Sequence, residues 1–304
     1  MGDRNLIIVH NSDVLPDRDF REIAKRVRRL DPQIHAFVVT EKKRSRAAQL
    51  AQFLRPTLFV EIEPVPGLRL RRGCVARGPR GQGKMAVYRV LEAGGLRVPT
   101  WCEVVPGIRL DPGEWGPWVV VKPDHGLRGI DVEAMATAEL CFRAPEQLPE
   151  DHLGRSGPLL AQRYIPTVDG PAYYRATTCF GEPIFAIHYF HPPGVLPEDP
   201  SGRPTIAVHR PHAARLAEDP DVLALARRVH ALFPNVPAIG SDFMRHRDTG
   251  ELWIAEVNLS SVWALSSEVG IRFQAARGLD LYQQFGALDR AAEAMAAATR
   301  RLAR

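Results

Sequence analysis

Cysteine is scarce in this chain: Cys74, Cys102, Cys141 and Cys179 are the only four in 304 residues, and tens of positions separate them. That spacing excludes both paired zinc ligands and a disulfide-dense scaffold, and it predicts reduced cysteines in or near the core. No apolar run approaches the eighteen residues needed to cross a bilayer, so no transmembrane helix and no membrane partner are expected. Met1-Gly2-Asp3-Arg4-Asn5 leads straight into a short apolar segment without a signal-peptide core, which predicts a cytoplasmic protein. Charge of one sign is also lacking. A net charge of +5 suits anionic ligands such as nucleotides but falls short of a nucleic-acid signature. The basic runs Lys42–Arg46 and Arg69–Arg72 have no interleaved aromatics, as a single-strand binder would require, and they read as a solvated helix face and a loop. No internal repeat is present.

What is there is an α/β pattern. Leu6–Val9, Ile34–Val39 and Thr57–Val60 read as strands separated by single helices, one with Phe20, Ile23, Ala24, Val27 and Leu30 on its apolar face. Such alternation predicts a parallel βαβ sheet. Glu63 to Lys84 holds three prolines and five glycines and reads as a loop-rich domain boundary. Beyond Gln162 the strands lengthen. Tyr173–Cys179 and Glu182–Phe190 predict a hairpin turning at Gly181, and Gly240–Met244 pairs with Leu252–Val257. Pro192 to Pro204 reads as a long polar loop of the kind that covers a site. The tail from Asp289 is an Ala- and Arg-rich helix with no evident chemistry.

Gly78-Pro79-Arg80-Gly81-Gln82-Gly83-Lys84 has the spacing of a phosphate-cradling P-loop, but Met85 stands where Ser or Thr must hold magnesium. Other pieces are more informative as an ordered set. Val119-Val120-Val121-Lys122-Pro123 is a strand ending in lysine, followed by a turn bearing Gly126 and Gly129, whose freed N–H groups can hold a polyphosphate. Leu159 to Pro166 is an apolar strand that could offer backbone groups to a purine edge. Glu256 and Asn258 alternate onto one strand face beside Asp242, an oxygen-only set suited to magnesium carrying phosphates.

In this order the pieces resemble the ATP-grasp superfamily, in particular its carboxylate–amine ligase branch of ribosomal-protein glutamate ligase and glutathione synthetase type. The likeness runs from Gly83 to Gly270 and loosely over the whole chain. It implies an α/β amino-terminal domain (1–80), a central subdomain with a mobile phosphate loop (81–162) and an α+β carboxy-terminal subdomain with a metal site (163–304). It also implies an ADP-forming C–N ligase that uses ATP and Mg2+, with Mn2+ as an alternative metal. Its substrates would be a small-molecule or peptide carboxylate and an amine, and the chain is compatible with a homo-oligomer. By that resemblance Lys84, Lys122, Gly126, Arg128 and Gly129 hold phosphates, while Gln162, Tyr164 and Ile165 form the adenine hinge. Arg175, with Lys122, stabilises the acyl phosphate, and Asp242, Glu256 and Asn258 bind the metal. Arg210 and Ser260 are speculative substrate contacts. The alternatives are a phosphotransferase of the same fold and a non-enzymatic nucleotide or nucleic-acid binder.

The chain departs from the pattern at Leu127, where relatives carry Ser, at Asp131, where a third glycine is common, and at Tyr173, where an acid often precedes the arginine. After Asn258 it reads Leu259-Ser260-Ser261-Val262-Trp263. In this reading Gly78→Ala leaves nucleotide affinity nearly unchanged, since only a P-loop would need the glycine's backbone freedom.

Overall fold

The computed structural model describes residues 4–42, 46–63, 65, 72–79, 81–126, 129–168, 170–192, 202–206 and 213–304. Among the described residues thirteen strands form three sheets. The first strands and helices are β1 (Arg4–Val9), α1 (Arg18–Leu30), β2 (Ile34–Val39), α2 (Arg46–Leu54), β3 (Thr57–Glu61) and β4 (Cys74–Arg77). They build a parallel sheet of order β2-β1-β3-β4. The fourth strand corrects the loop-rich reading of Glu63 to Lys84: Cys74-Val75-Ala76-Arg77 is short and flanked by glycines, yet pairs with β3 from Leu58 to Glu61.

Next come α3 (Lys84–Ala93), β5 (Trp101–Glu103), α4 (Pro112–Trp115), β6 (Trp118–Pro123), β7 (Glu133–Ala136) and β8 (Leu159–Arg163). The strands make an antiparallel sheet of order β5-β8-β6-β7. The last part holds β9 (Tyr173–Cys179), β10 (Glu182–Phe190), β11 (Ala213–Leu216), α5 (Pro220–Ala231), β12 (Ala238–Arg245), β13 (Leu252–Asn258), α6 (Glu268–Arg277) and α7 (Ala287–Leu302). Its sheet is antiparallel, of order β11-β10-β9-β12-β13, and contains the expected hairpin at Gly181. Of the expected covering loop Pro192 to Pro204, residues 193–201 lie outside the described residues, as does Arg210. Among the described residues no helix is long and apolar enough to cross a membrane.

The terminal helix has a structural task. Ala287, Ala291, Ala292, Ala294, Ala296 and Ala298 are buried around α7, and small side chains let it lie between α1 and β1 on one side and β9 and β10 on the other. One continuous apolar core therefore joins the first and third sheets, from Leu6 and Phe20 through Met295 to Phe185. The segment after Asn258 is pinned into that core: Trp263 is buried and its indole N–H donates to Asp19 Oδ2 at 2.9 Å. Asp19, fully buried in the first turn of α1, also accepts from Tyr282 Oη at 2.9 Å. All four cysteines are unpaired, and the core expectation fails for Cys141, which is exposed.

Candidate functional site

The site lies where α3 and the central sheet meet one end of β12 and β13. Asp242 and Glu256 are direct cross-strand partners, and Asn258 pairs with Gly240 two residues along, so all three polar side chains share one face. The register then slips: Phe243 opposes Ile254, and Ala255 is left over as a bulge. Freed from the ladder, the Ala255 carbonyl accepts from Tyr88 Oη at 2.6 Å and from Lys122 Nζ at 3.2 Å. Bulges of this kind re-aim backbone groups beside active sites.

Lys122, the penultimate residue of β6, is buried. Its ammonium also donates to Tyr88 Oη at 2.7 Å and to Gln162 Oε1 at 2.8 Å, so three acceptors from three elements hold its three protons. Burial lowers its pKa to about 8, against the opposing pull of Glu256 and Asp242. Burial likewise lowers Lys84, although Glu256 Oε1 lies 3.6 Å from its Nζ. Lys84 Nζ also donates to Gly126 O at 2.8 Å, tying the helix to the loop after β6.

On β9, Arg175 faces its register partner Asp242 and forms a bidentate pair, Nε to Oδ1 at 2.8 Å and Nη2 to Oδ2 at 2.6 Å. Asp242 raises the guanidinium pKa further, so the arginine is always charged. Tyr173, two residues before it on the same face, stacks on Tyr189 with centroids 4.6 Å apart. Among the described residues no group of three His, Cys, Asp or Glu side chains is placed to hold a metal. A cation here would rest on two carboxylates, the Asn258 amide and ligand oxygens.

At the far end of β8, Tyr164 N–H donates to Trp118 O at 3.2 Å, while the buried Ile165 N–H bonds to no backbone carbonyl among the described residues. Gln162 Nε2 is buried without a partner. The buried Gln162 amide, a donor without an acceptor, and the backbone beyond β8 form a place for a ligand with acceptor atoms. In the loop after β6, Gly129 takes a left-handed φ of +69°. Arg128 and Leu127 lie outside the described residues. Asp131 replaces glycine without strain of the bulky kind: it adopts φ +57°, which Asp tolerates, and its Oδ2 accepts Leu153 N–H at 2.8 Å. Ser260 is exposed, and the structure gives it no site contact.

The P-loop resemblance dissolves at α3. Asp124 Oδ1 accepts Met85 N–H at 2.7 Å, and its backbone carbonyl accepts Lys84 N–H at 3.1 Å. The end of the helix that would cradle phosphate is filled by the protein's own carboxylate. Gly83 is glycine because a Cβ there would lie 1.8 Å from Asp124 Oδ2. Gly78 is constrained too, its would-be Cβ 2.0 Å from Leu259 O, a packing requirement that involves no phosphate. Sequence reasoning missed Tyr88, Asp124 and Ala255. Tyr88 carried a signal, standing four residues after Lys84 and so on the same helical face; the bulge at Ala255 carried none.

This architecture is shared with solved structures. It is similar to D-cycloserine synthetase DcsG, with 20% identity and a TM-score of 0.55 over 96% of this chain and 99% of that one. It is similar to ATP-grasp ligase PsnB complexed with precursor peptide PsnA2 and AMPPNP, with 15% identity and a TM-score of 0.55 over 97% of this chain and 98% of that one. PsnB complexed with minimal precursor, Mg and ADP gives 14% identity and a TM-score of 0.55. The chain has the ATP-grasp fold. No protein-family model matches it, and no curated protein does. Within the ATP-grasp fold, the amino-terminal parallel sheet, the central sheet with its glycine-bearing loop and the acid-bearing carboxy-terminal sheet occur in the expected order.

Proposed function

We propose that the chain is an ATP- and magnesium-dependent ligase that activates a carboxylate as an acyl phosphate and transfers it to an amine. One observation carries the reading: Asp242 and Glu256 oppose each other across β12 and β13, with Arg175 and Lys84 already paired to them. Two acids and two cations converging on one spot between two sheets suit a polyphosphate with its metal. The donor set fits the hard cation, being all oxygen, and the open donor at Gln162 with the backbone beyond β8 fits a purine edge. Bound magnesium would supply charge neutralisation at the transferred phosphoryl group.

In this reading the chain's own residues position and neutralise. Lys84 and Lys122 hold phosphate oxygens, and Asp242, Glu256 and Asn258 hold the metal once Arg175 turns from Asp242. Arg175 then faces the acyl phosphate, where a fixed guanidinium stabilises the charge building on the transferred group. The substrate carboxylate oxygen attacks the γ-phosphorus as ADP leaves. The amine nitrogen then attacks the acyl carbon, and phosphate leaves with the bonding pair. The 1–80, 81–162 and 163–304 division assigns one sheet to each proposed unit.

The test is release of ADP and free phosphate from Mg-ATP in the presence of the twenty L-amino acids, offered as both acids and amines. The ligase reading expects both products in equal amounts. ADP without phosphate would instead assign a phosphotransferase, and no ADP with any acid would contradict both.

A further inference from the structure

Glu63 follows β3 at the carboxyl edge of the parallel sheet, where ligands of α/β folds gather. It is 5% exposed, and its one partner among the described residues is neutral: Ser261 Oγ donates to Glu63 Oε2 at 3.0 Å. Among the described residues no lysine, arginine or histidine pairs with it. A buried carboxylate without a counter-charge is expensive and marks a place where a cation or a proton completes the site. Burial raises its carboxyl pKa, against the lowering pull of the Ser261 hydrogen bond.

Its partner is placed just as unusually. Ser261 holds a left-handed φ of +55°, a conformation that costs energy in a non-glycine residue and persists where its surroundings enforce it. Two residues on, Trp263 is fixed by Asp19, and two residues back Leu259 O lies so close to Gly78 that a Cβ there would come within 2.0 Å of it. Ser261 is three residues beyond Asn258, so at most about 11 Å of chain separates them. Glu63 thus reaches from the end of the first sheet to the segment that directly follows the acid-bearing strand β13.

We propose that Glu63 and Ser261 seat the ammonium group of the incoming amine, with the Glu63 carboxylate taking the first proton that the nitrogen sheds. This rests on the ligase reading and names its nucleophile class as a primary amine that arrives charged. One N–H bond breaks, its proton passing to Glu63; the freed lone pair forms the C–N bond as phosphate departs with the C–O bonding pair, and the second proton that the nitrogen sheds leaves with the phosphate. Ser261 orients the carboxylate and is a positioning residue.

Hydroxylamine separates this inference from the ligase reading, because it is uncharged at neutral pH and reacts with acyl phosphates without a base. Wild type, Glu63→Gln and Ser261→Ala are each given Mg-ATP and the twenty L-amino acids, with and without hydroxylamine. Glu63→Gln is expected to form hydroxamate within about threefold of wild type while amide formation falls about 10²-fold, the usual worth of a positioned base. Ser261→Ala is expected to lower amide formation about tenfold and spare hydroxamate. Undiminished amide formation in Glu63→Gln, or equal loss of hydroxamate and amide in both variants, would overturn the assignment. Absence of hydroxamate in the wild type would overturn the ligase reading, and this inference with it.

Discussion

Asp124 occupies the amino end of α3, its Oδ1 2.7 Å from Met85 N, and Gly83 is bare of a Cβ because the same carboxylate lies against it. Gly83→Ala should therefore cost about 1–3 kcal/mol of stability by expelling the cap. Asp124→Ala should cost about 1 kcal/mol. The double variant should lose less than the sum, because the clash disappears with the carboxylate. Urea denaturation measures all three; strict additivity would mean that the two residues do not interact as described.

Tyr88 links the buried Lys122 to the bulged Ala255 carbonyl. Tyr88→Phe should cost about 1 kcal/mol and weaken AMPPNP binding severalfold, while Lys122→Met should weaken it more than tenfold. In the double variant Tyr88→Phe should add little, since the group it orients is gone. Fluorescence titration with AMPPNP checks this, and independent effects would separate Tyr88 from the lysine.

Burial lowers the Lys122 pKa to about 8. A base whose folded pKa lies below its unfolded value near 10.5 binds fewer protons when folded, so stability should rise between about pH 8 and pH 10.5. Nucleotide affinity should move the opposite way, falling above pH 8 as the ammonium is lost. Lys122→Met should flatten both trends. Affinity for AMPPNP that is unchanged from pH 7 to pH 9.5 would place the phosphates away from Lys122.

The order of elements and most of the site were legible in the sequence because strand periodicity and the lysine, arginine and acid positions are local facts. Tyr173–Cys179 and Glu182–Phe190 occur where β-branched and aromatic runs predict them. What was not legible depends on distant partners. The alanines of α7 mean little until two sheets close on them, and the sequence after Asn258 looks anomalous until Trp263 meets Asp19 across the chain. Likewise β4 is four residues that are strand only because β3 is there to pair with.

That Asp19 junction should be the most sensitive point of the shared core. Asp19→Ala strands the buried Trp263 indole and frees Tyr282, with an expected loss of about 3 kcal/mol. Asp19→Asn should lose less. Thermal denaturation measures both, and a neutral effect of Asp19→Ala would show that the two donors find water or another acceptor.

The central claim is that the face carrying Arg175, Asp242 and Glu256 receives Mg-ATP, and a crystal structure with magnesium and AMPPNP tests it most directly. The account predicts that the Arg175–Asp242 pair opens, that magnesium bridges Asp242 and Glu256, and that the phosphates lie against Lys84 and Lys122 with the base at Ile165. Nucleotide bound elsewhere, with Arg175 still bidentate on Asp242, would contradict it.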